Sequence, residues 1–491
     1  MTATWITFGL YFLILLGLGL LAWQRTQDLS DYLLGGRRLG SGVTALSAGA
    51  SDMSGWLLLG LPGYAYVAGL EAGWIAVGLL IGTWLNWKLT AARLRIATER
   101  LDDSLTLPDY FQRRFADTSG LLRVVPAVFI LLFFSLYVSA GLVAGGRLFE
   151  TVFELPYLWA VAAGALAIII YTFMGGYLAV SWTDALQALL MLLALVAVVV
   201  MVLGGAGDQG LFEAVAASNR ELLNPFTSSD GSPLTLLAII SLMAWGLGYF
   251  GQPHVLARFM GIQSAGQLVR ARQIAVSWVA VCLVAAVMVG MAGIGGLSET
   301  LDGEAAETVF IRLVELLFHP VIAGICLAAI LAAIMSTADS QLLVASSVVS
   351  EDFYKGWIRP AAGQTELVWV GRAAVIAIAL IAFGLAANPE RMVLELVAYA
   401  WAGLGAAFGP VIMMSLYWSR MSLAGAVAGM ITGGLTVVIW ARLEGGLYDV
   451  YEILPGVILA TLAAVALSLL LPDGRAEARF ASMLIQPENK S

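Results

Sequence analysis

Charge is what this sequence has least of. Of its 491 residues only 12% are Asp, Glu, Lys or Arg, where a soluble domain carries about 25%. Cysteine is nearly absent. Cys282 and Cys326 both fall in apolar runs, so no disulfide or metal framework is implied. The two histidines, His254 and His319, fall at opposite membrane faces in the span assignment below and suggest no metal. No Walker loop, GxSxG, HExxH or CxxC occurs, which argues against an ATP-driven pump and a zinc protease. No Lys/Arg run points to nucleic acid, and no stretch has the composition of a soluble domain.

Long apolar runs are what the chain does have, with 60% hydrophobic residues. A helix needs about 20 apolar residues to cross the hydrocarbon core. Thirteen segments qualify, at residues 3–23, 40–65, 72–87, 124–146, 157–175, 185–203, 234–253, 274–296, 321–338, 368–387, 396–418, 423–441 and 453–471. They are numbered spans 1 to 13 here. The expected fold is an all-α integral membrane protein of about thirteen transmembrane helices in one transport domain, 1–491. The first segment has no basic leader and no small-residue cleavage site, so it reads as a helix and not as a removable signal.

Lys and Arg set the orientation. With the N-terminus outside, twenty of the twenty-five fall inside. Among the inner ones are Arg25, Arg258 and Lys490; only Arg147, Arg220, Arg312, Arg391 and Arg442 fall outside. The C-terminal tail is then cytoplasmic. Of the two long outer loops, 204–233 and 297–320, the second contains a short amphipathic helix at 308–318 that suits the outer surface.

Two spans carry helix breakers at mid-depth. Span 2 reads Ala48-Gly-Ala-Ser-Asp-Met-Ser-Gly-Trp56 and places Asp52, the only charge between Leu39 and Gly69, inside an apolar run. Span 7 reads Trp245-Gly-Leu-Gly-Tyr-Phe-Gly-Gln-Pro253. Unwound backbone at membrane depth is tolerated only where it lines a cavity or is buried in protein. The breaks lie five spans apart, which is the sign of an inverted repeat. The halves are 40–203 and 234–418, with 1–39 and 423–491 peripheral.

An intramembrane acid is expensive and usually functional. Asp52 on a broken helix makes a cation site; its alternative is a cap on the unwound end. On span 9, Ala333, Ser336, Thr337 and Ser340 share one helical face. Their hydroxyls and exposed carbonyls suit a hard cation, unless they bond back to their own helix. Asp184 reads as an ion-linked acid or as a cap on span 6, and Asp339 as a site acid or as a carboxylate in water at the inner surface. Asp184, Ser336, Asp339 and Ser340 could together form a second cation site. Tyr137, Trp245 and Tyr249 lie deep in spans, either as helix packing or as the wall for a small solute with an apolar body.

Asp31-Tyr-Leu-Leu-Gly-Gly-Arg37, Thr44-Ala-Leu-Ser-Ala-Gly-Ala-Ser-Asp-Met-Ser-Gly-Trp56, Leu107-Pro-Asp-Tyr-Phe111, Gly246-Leu-Gly-Tyr-Phe-Gly-Gln-Pro-His254 and Leu331-Ala-Ala-Ile-Met-Ser-Thr337 resemble the solute:sodium symporters, most of all their proline branch. The likeness runs from span 1 through span 13. It implies a leucine-transporter-like 5+5 core with broken spans 2 and 7. It also implies a sodium site from the carbonyls of Ala50, Met53 and Ala333 and the hydroxyls of Ser336 and Thr337, with Asp52 needed for sodium affinity. Ser54, Gly55, Trp56, Tyr137, Trp245, Tyr249 and Pro253 would border the substrate. Asp184 matches a family carboxylate linked to ion handling; Asp339 departs from the family pattern.

The implied activity is sodium-driven symport of L-proline across a bacterial inner membrane. No enzyme chemistry and no cofactor are implied beyond the co-transported sodium. The implied partners are sodium, L-proline and the lipid bilayer, with no nucleic acid and no obligate protein partner. The alternatives are a symporter for another small organic solute and a non-transporting membrane sensor. The short tail after span 13 argues against the sensor.

Overall fold

The computed structural model describes residues 2–24, 29–174, 176–205, 210–387 and 392–484. Arg25, Arg391 and Lys490, used above for orientation, lie outside them. Helices dominate; the described residues form no strand, only two isolated bridges, Leu39–Ile262 and Thr227–Pro233. The chain is therefore a multi-pass, all-helical membrane protein. Ten helices are long and apolar enough to cross a bilayer, or eleven if the bent pair at 236–261 is one span. The joined spans 2 and 3, the short span 5 and the bent span 7 account for the difference from thirteen. Spans 2 and 3 run on as one stretch, Trp56–Arg100, in which Gly69, with a φ of 65°, ends helix Leu61–Ala68. The first half of span 2, Ser41–Asp52, is short, and Tyr157–Ile170 falls below crossing length.

Local chemistry sets several helix starts. Ser422 accepts the Gly425 N–H at 3.1 Å to open Leu423–Trp440. Thr235 does the same for Ala238 at the head of Leu236–Met243. Pro320 opens Pro320–Ser347, where its missing N–H is no loss. In two interior helices, Pro320–Ile358 and Val393–Tyr417, 83% of the apolar window is buried, against 28% for Thr4–Ala22 and Ile453–Leu470. Spans 9 and 11 are thus the centre, and spans 1 and 13 face lipid.

The amphipathic segment is helix Val309–Leu317, and its apolar face packs into the protein. Val309, Phe310, Ile311, Leu313 and Val314 are buried in the bundle. Ahead of it, Glu307 accepts the N–H groups of Val393 and Leu394 at 3.0 and 3.1 Å. It thereby caps helix Val393–Tyr417 while Arg147 Nε lies 3.5 Å away. Four orphan N–H groups open every helix, and here a loop from elsewhere in the chain satisfies two of them.

Candidate functional site

The two breaks meet at the centre. Helix Ser41–Asp52 stops where Met53 leaves helical geometry (φ −90°, ψ 84°). The chain resumes as a π-helical turn, Trp56–Gly60, with the Ser54 carbonyl accepting from Leu57 N–H at 3.0 Å. Span 7 tightens from Leu236–Met243 into a 3₁₀ stretch, Ala244–Gly251. It turns by 47° at Gln252 and continues as Pro253–Gly261. The glycines of span 7 serve packing as well as the break. A Cβ on Gly246 would overlap the Gly78 carbonyl, and one on Gly248 would overlap Trp401 Nε1. Gln252 holds the turn by donating to the Gly248 and Trp401 carbonyls.

Asp52, the last residue before the first break, collects three aromatic donors. Tyr249 Oη donates to its Oδ2. Tyr137 Oη and Trp56 Nε1 each lie 3.4 Å from its main-chain oxygen. Its side chain is not a backbone cap. The Trp245 ring lies 6.1 Å from Trp56 and stacks on Tyr451 at 5.4 Å. Tyr249 meets Trp401 edge-on at 5.1 Å. Aromatic side chains of spans 2, 4 and 7 expected from sequence are therefore one cluster around one acid.

A second set of oxygens lies one turn earlier. The Ala50 carbonyl accepts from Ser336 Oγ at 2.9 Å and from Thr337 Oγ1 at 3.4 Å. Ser336 also bonds the Ala333 carbonyl at 3.1 Å. Both readings of the hydroxyls hold at once: Ser336 bonds back to its own helix and reaches across to span 2. These four oxygens are neutral and buried, a donor set that fits a hard monovalent cation. Met53 is fully buried beside them in sequence.

The third cluster corrects the sequence reading. Asp184 does not cap a helix: its helix, Tyr177–Gly205, starts two turns earlier. Asp339 is not in water; it is fully buried. Beside Asp184 lies the guanidinium of Arg258, expected in an inner loop but found buried in the bundle. Its Nη2 lies 3.0 Å from Asp184 Oδ2, its Nε 3.1 Å from Ser47 Oγ, and it also donates to Ser340. Ser340 in turn lies 3.4 Å from Asp339 Oδ1. Asp184 and Ser340 thus meet a cation, but a protein cation, and Ser340 links it to Asp339. Ser336 turns instead to Ala50.

Gly55, Pro253 and His254 have other surroundings. Gly55 packs against the spans beside it; a Cβ there would stand 2.8 Å from that of Ala144 and 3.1 Å from Ile334. Pro253 lines a narrow crevice with Leu33, Leu105, Ile130 and Leu343, away from Trp245. His254 is not at a membrane face; it is buried with its ring 5.5 Å from Phe134 and 6.3 Å from Tyr137. Sequence reasoning missed Arg258, Trp401 and Tyr451. Arg258 had a signal, since it lies five residues past Pro253 within an apolar helix, Pro253–Gly261. Tyr451 had none, because it lies between two peripheral spans.

A model of the sodium:solute symporter family matches residues 32–433. The sodium/proline symporters of Salmonella typhimurium and Escherichia coli are 52% and 51% identical to this chain, each over 97% of this chain and 95% of the relative. The high-affinity proline transporter of Bacillus subtilis is 46% identical over 92% of this chain and 95% of the relative. In fold, a Na⁺-coupled sialic acid symporter in a substrate-bound outward-open state superposes with a TM-score of 0.79. The match has 18% identity and covers 96% of this chain and 98% of the other. A nucleobase-cation-symport-1 transporter follows at 0.55, with 13% identity over 92% and 100%. The architecture is leucine-transporter-like, and the chain belongs to the sodium:solute symporter family.

Proposed function

We propose that the protein couples sodium entry to uptake of L-proline across a bacterial inner membrane, with the N-terminus outside and the C-terminus in the cytoplasm. The observation that carries this is the meeting of two broken helices at Asp52. There an aromatic enclosure from Trp56, Tyr137, Trp245 and Tyr249 adjoins a neutral oxygen cradle from Ala50, Ala333, Ser336 and Thr337. The proline specificity named for relatives about half identical to this chain supports the same substrate.

Sodium in the cradle, with the Met53 carbonyl completing it, bridges span 2 to span 9. It replaces the two direct Ser336 and Thr337 bonds to Ala50 and fixes the unwound segment that carries Asp52. Substrate then meets a preorganised wall, and the coupling is reciprocal by linkage. One charge moving through 100 mV supplies about 2.3 kcal/mol to the cycle. Residues 40–203 and 234–418 act as the two repeats that rock about the site. A polar crevice of ≈ 560 Å³ lined by Thr106, Asp109, Arg113, Arg123 and Asp352 is the cytoplasmic mouth. Asp184, Ser340 and Asp339 form an auxiliary cation site when Arg258 withdraws. Uptake of labelled L-proline into proteoliposomes with and without an inward sodium gradient tests the reading. Uptake that ignores the gradient rejects it.

A further inference from the structure

Asp52 is half satisfied. Its Oδ2 accepts from Tyr249, while its Oδ1 is buried with no hydrogen-bond partner. Among the described residues no Lys, Arg or His side chain pairs with it, whereas Asp184, another deep acid with one unpartnered oxygen, has Arg258. A buried carboxylate oxygen with no partner is expensive. Its partner is therefore cargo.

Two cargo cations are available. Sodium has a cradle of neutral oxygens from Ala50, Ala333, Ser336 and Thr337, which contains no acid. The amino acid is a zwitterion whose ring nitrogen carries a positive charge and two N–H donors. Three features around Asp52 favour such a group. Its own carboxylate is aimed into the aromatic cluster by Tyr249. The C-terminal end of helix Ser41–Asp52 carries partial negative charge. The rings of Trp56, Tyr137 and Tyr249 gather within hydrogen-bond reach of Asp52 and supply an apolar wall for the body of the solute.

We propose that Asp52 Oδ1 receives the ammonium group of the substrate, so that Asp52 is the counter-ion of the amino acid and Tyr249 is the positioning residue that orients it. This rests on the reading of the substrate as proline and makes the recognised class a cationic amine on a compact apolar body. It also explains the union of acid and aromatic wall: Tyr249 touches Asp52 directly, so wall and counter-ion move as one.

The test compares L-proline with cyclopentanecarboxylate, which keeps the ring and the carboxylate but has no nitrogen. Binding is measured by calorimetry on the purified full-length protein at saturating sodium. Wild type should prefer proline by at least about 100-fold, as a site built around a polar partner rejects analogues that lack it. In Asp52→Asn, proline should fall to the level of the analogue while the analogue changes less than about threefold. Tyr249→Phe should lie between, with the preference reduced. A preference for proline that survives in Asp52→Asn, with only the sodium requirement changed, overturns the proposal. So does a wild type that binds both compounds equally, which needs no variant to fold. A wild type that binds neither compound, or binds without regard to sodium, rejects the substrate reading itself.

Discussion

Nη2 of Arg258 lies 3.0 Å from Oδ2 of Asp184, with neither side chain exposed. The pair ties the segment after the span 7 break to span 6. Through Ser47, at 2.6 Å from the same oxygen, it also ties in the first half of span 2. Three helices that flank the breaks are thus pinned by one buried ion pair. Breaking such a pair by removing one partner leaves an uncompensated charge and costs about 3–5 kcal/mol.

Arg258→Met and Asp184→Asn should therefore each lower the melting temperature of the purified protein sharply, and the double variant should be more stable than their sum. Arg258→Lys should rescue little, because an ammonium cannot serve Ser47, Ser340 and Asp184 together as the fork does. A thermal-stability cycle over the four proteins checks this. Additive losses would mean that the two residues act apart.

Ser336→Ala and Thr337→Ala should each raise the sodium concentration for half-maximal uptake, roughly tenfold for the loss of one ligand to a charged group at ~1.5 kcal/mol. Ser336, at 2.9 Å from the Ala50 carbonyl, should cost more than Thr337 at 3.4 Å. Proline affinity at saturating sodium should change less. Sodium-titrated initial rates decide it, and equal loss of both constants would point to the fold instead.

The breaks were legible in sequence because a charge, glycines and a proline inside apolar runs have few structural excuses. The Ser336–Thr337 face followed from helical spacing alone. Arg258 was not legible: an arginine near a helix end reads as a loop charge, and only the three partners it finds in space reveal it. Asp184 and Asp339 were placed at membrane ends because apolar runs were cut at the charges. The helices run straight through both positions, since their neighbours satisfy the polar groups. Tyr451 was invisible because its role depends on a peripheral span folding back over the core.

Tyr451 closes the aromatic cluster from outside the repeats. Its ring stacks on Trp245, its hydroxyl donates to the Ala398 carbonyl at 2.7 Å, and its N–H donates to Ser241 at 2.7 Å. Tyr451→Ala should weaken proline binding several-fold, in line with ~0.5–1.5 kcal/mol for an aromatic pair, and leave the sodium constant nearly unchanged. Trp245→Ala should weaken it more, since it also removes the contact to Trp56. Tyr451→Phe keeps the stack and should lie close to wild type. Proline competition assays on the three variants check the order, and a Tyr451→Ala protein with wild-type affinity would remove this residue from the pocket.

Among the described residues Asp339 makes no ion pair of its own. Asp184 and Arg258 balance one another, while Asp339 has only Ser340 at 3.4 Å and a second oxygen, Oδ2, buried without a partner. Two carboxylates in one cluster, with one guanidinium paired to the first, repel unless a proton or a further cation enters. If that cation is sodium, loaded and released in each cycle as Arg258 moves aside, it adds one charge per turnover. Asp339→Ser removes the surplus and keeps a small polar group beside Ser340. The variant should still carry proline with sodium through the Ala50–Ser336–Thr337 cradle, but with one charge fewer per proline. Reversal potentials in proteoliposomes, measured against known sodium and proline gradients for both proteins, give the ratio directly. An identical ratio in the two would mean that the charge on Asp339 is static and that sodium uses the cradle alone.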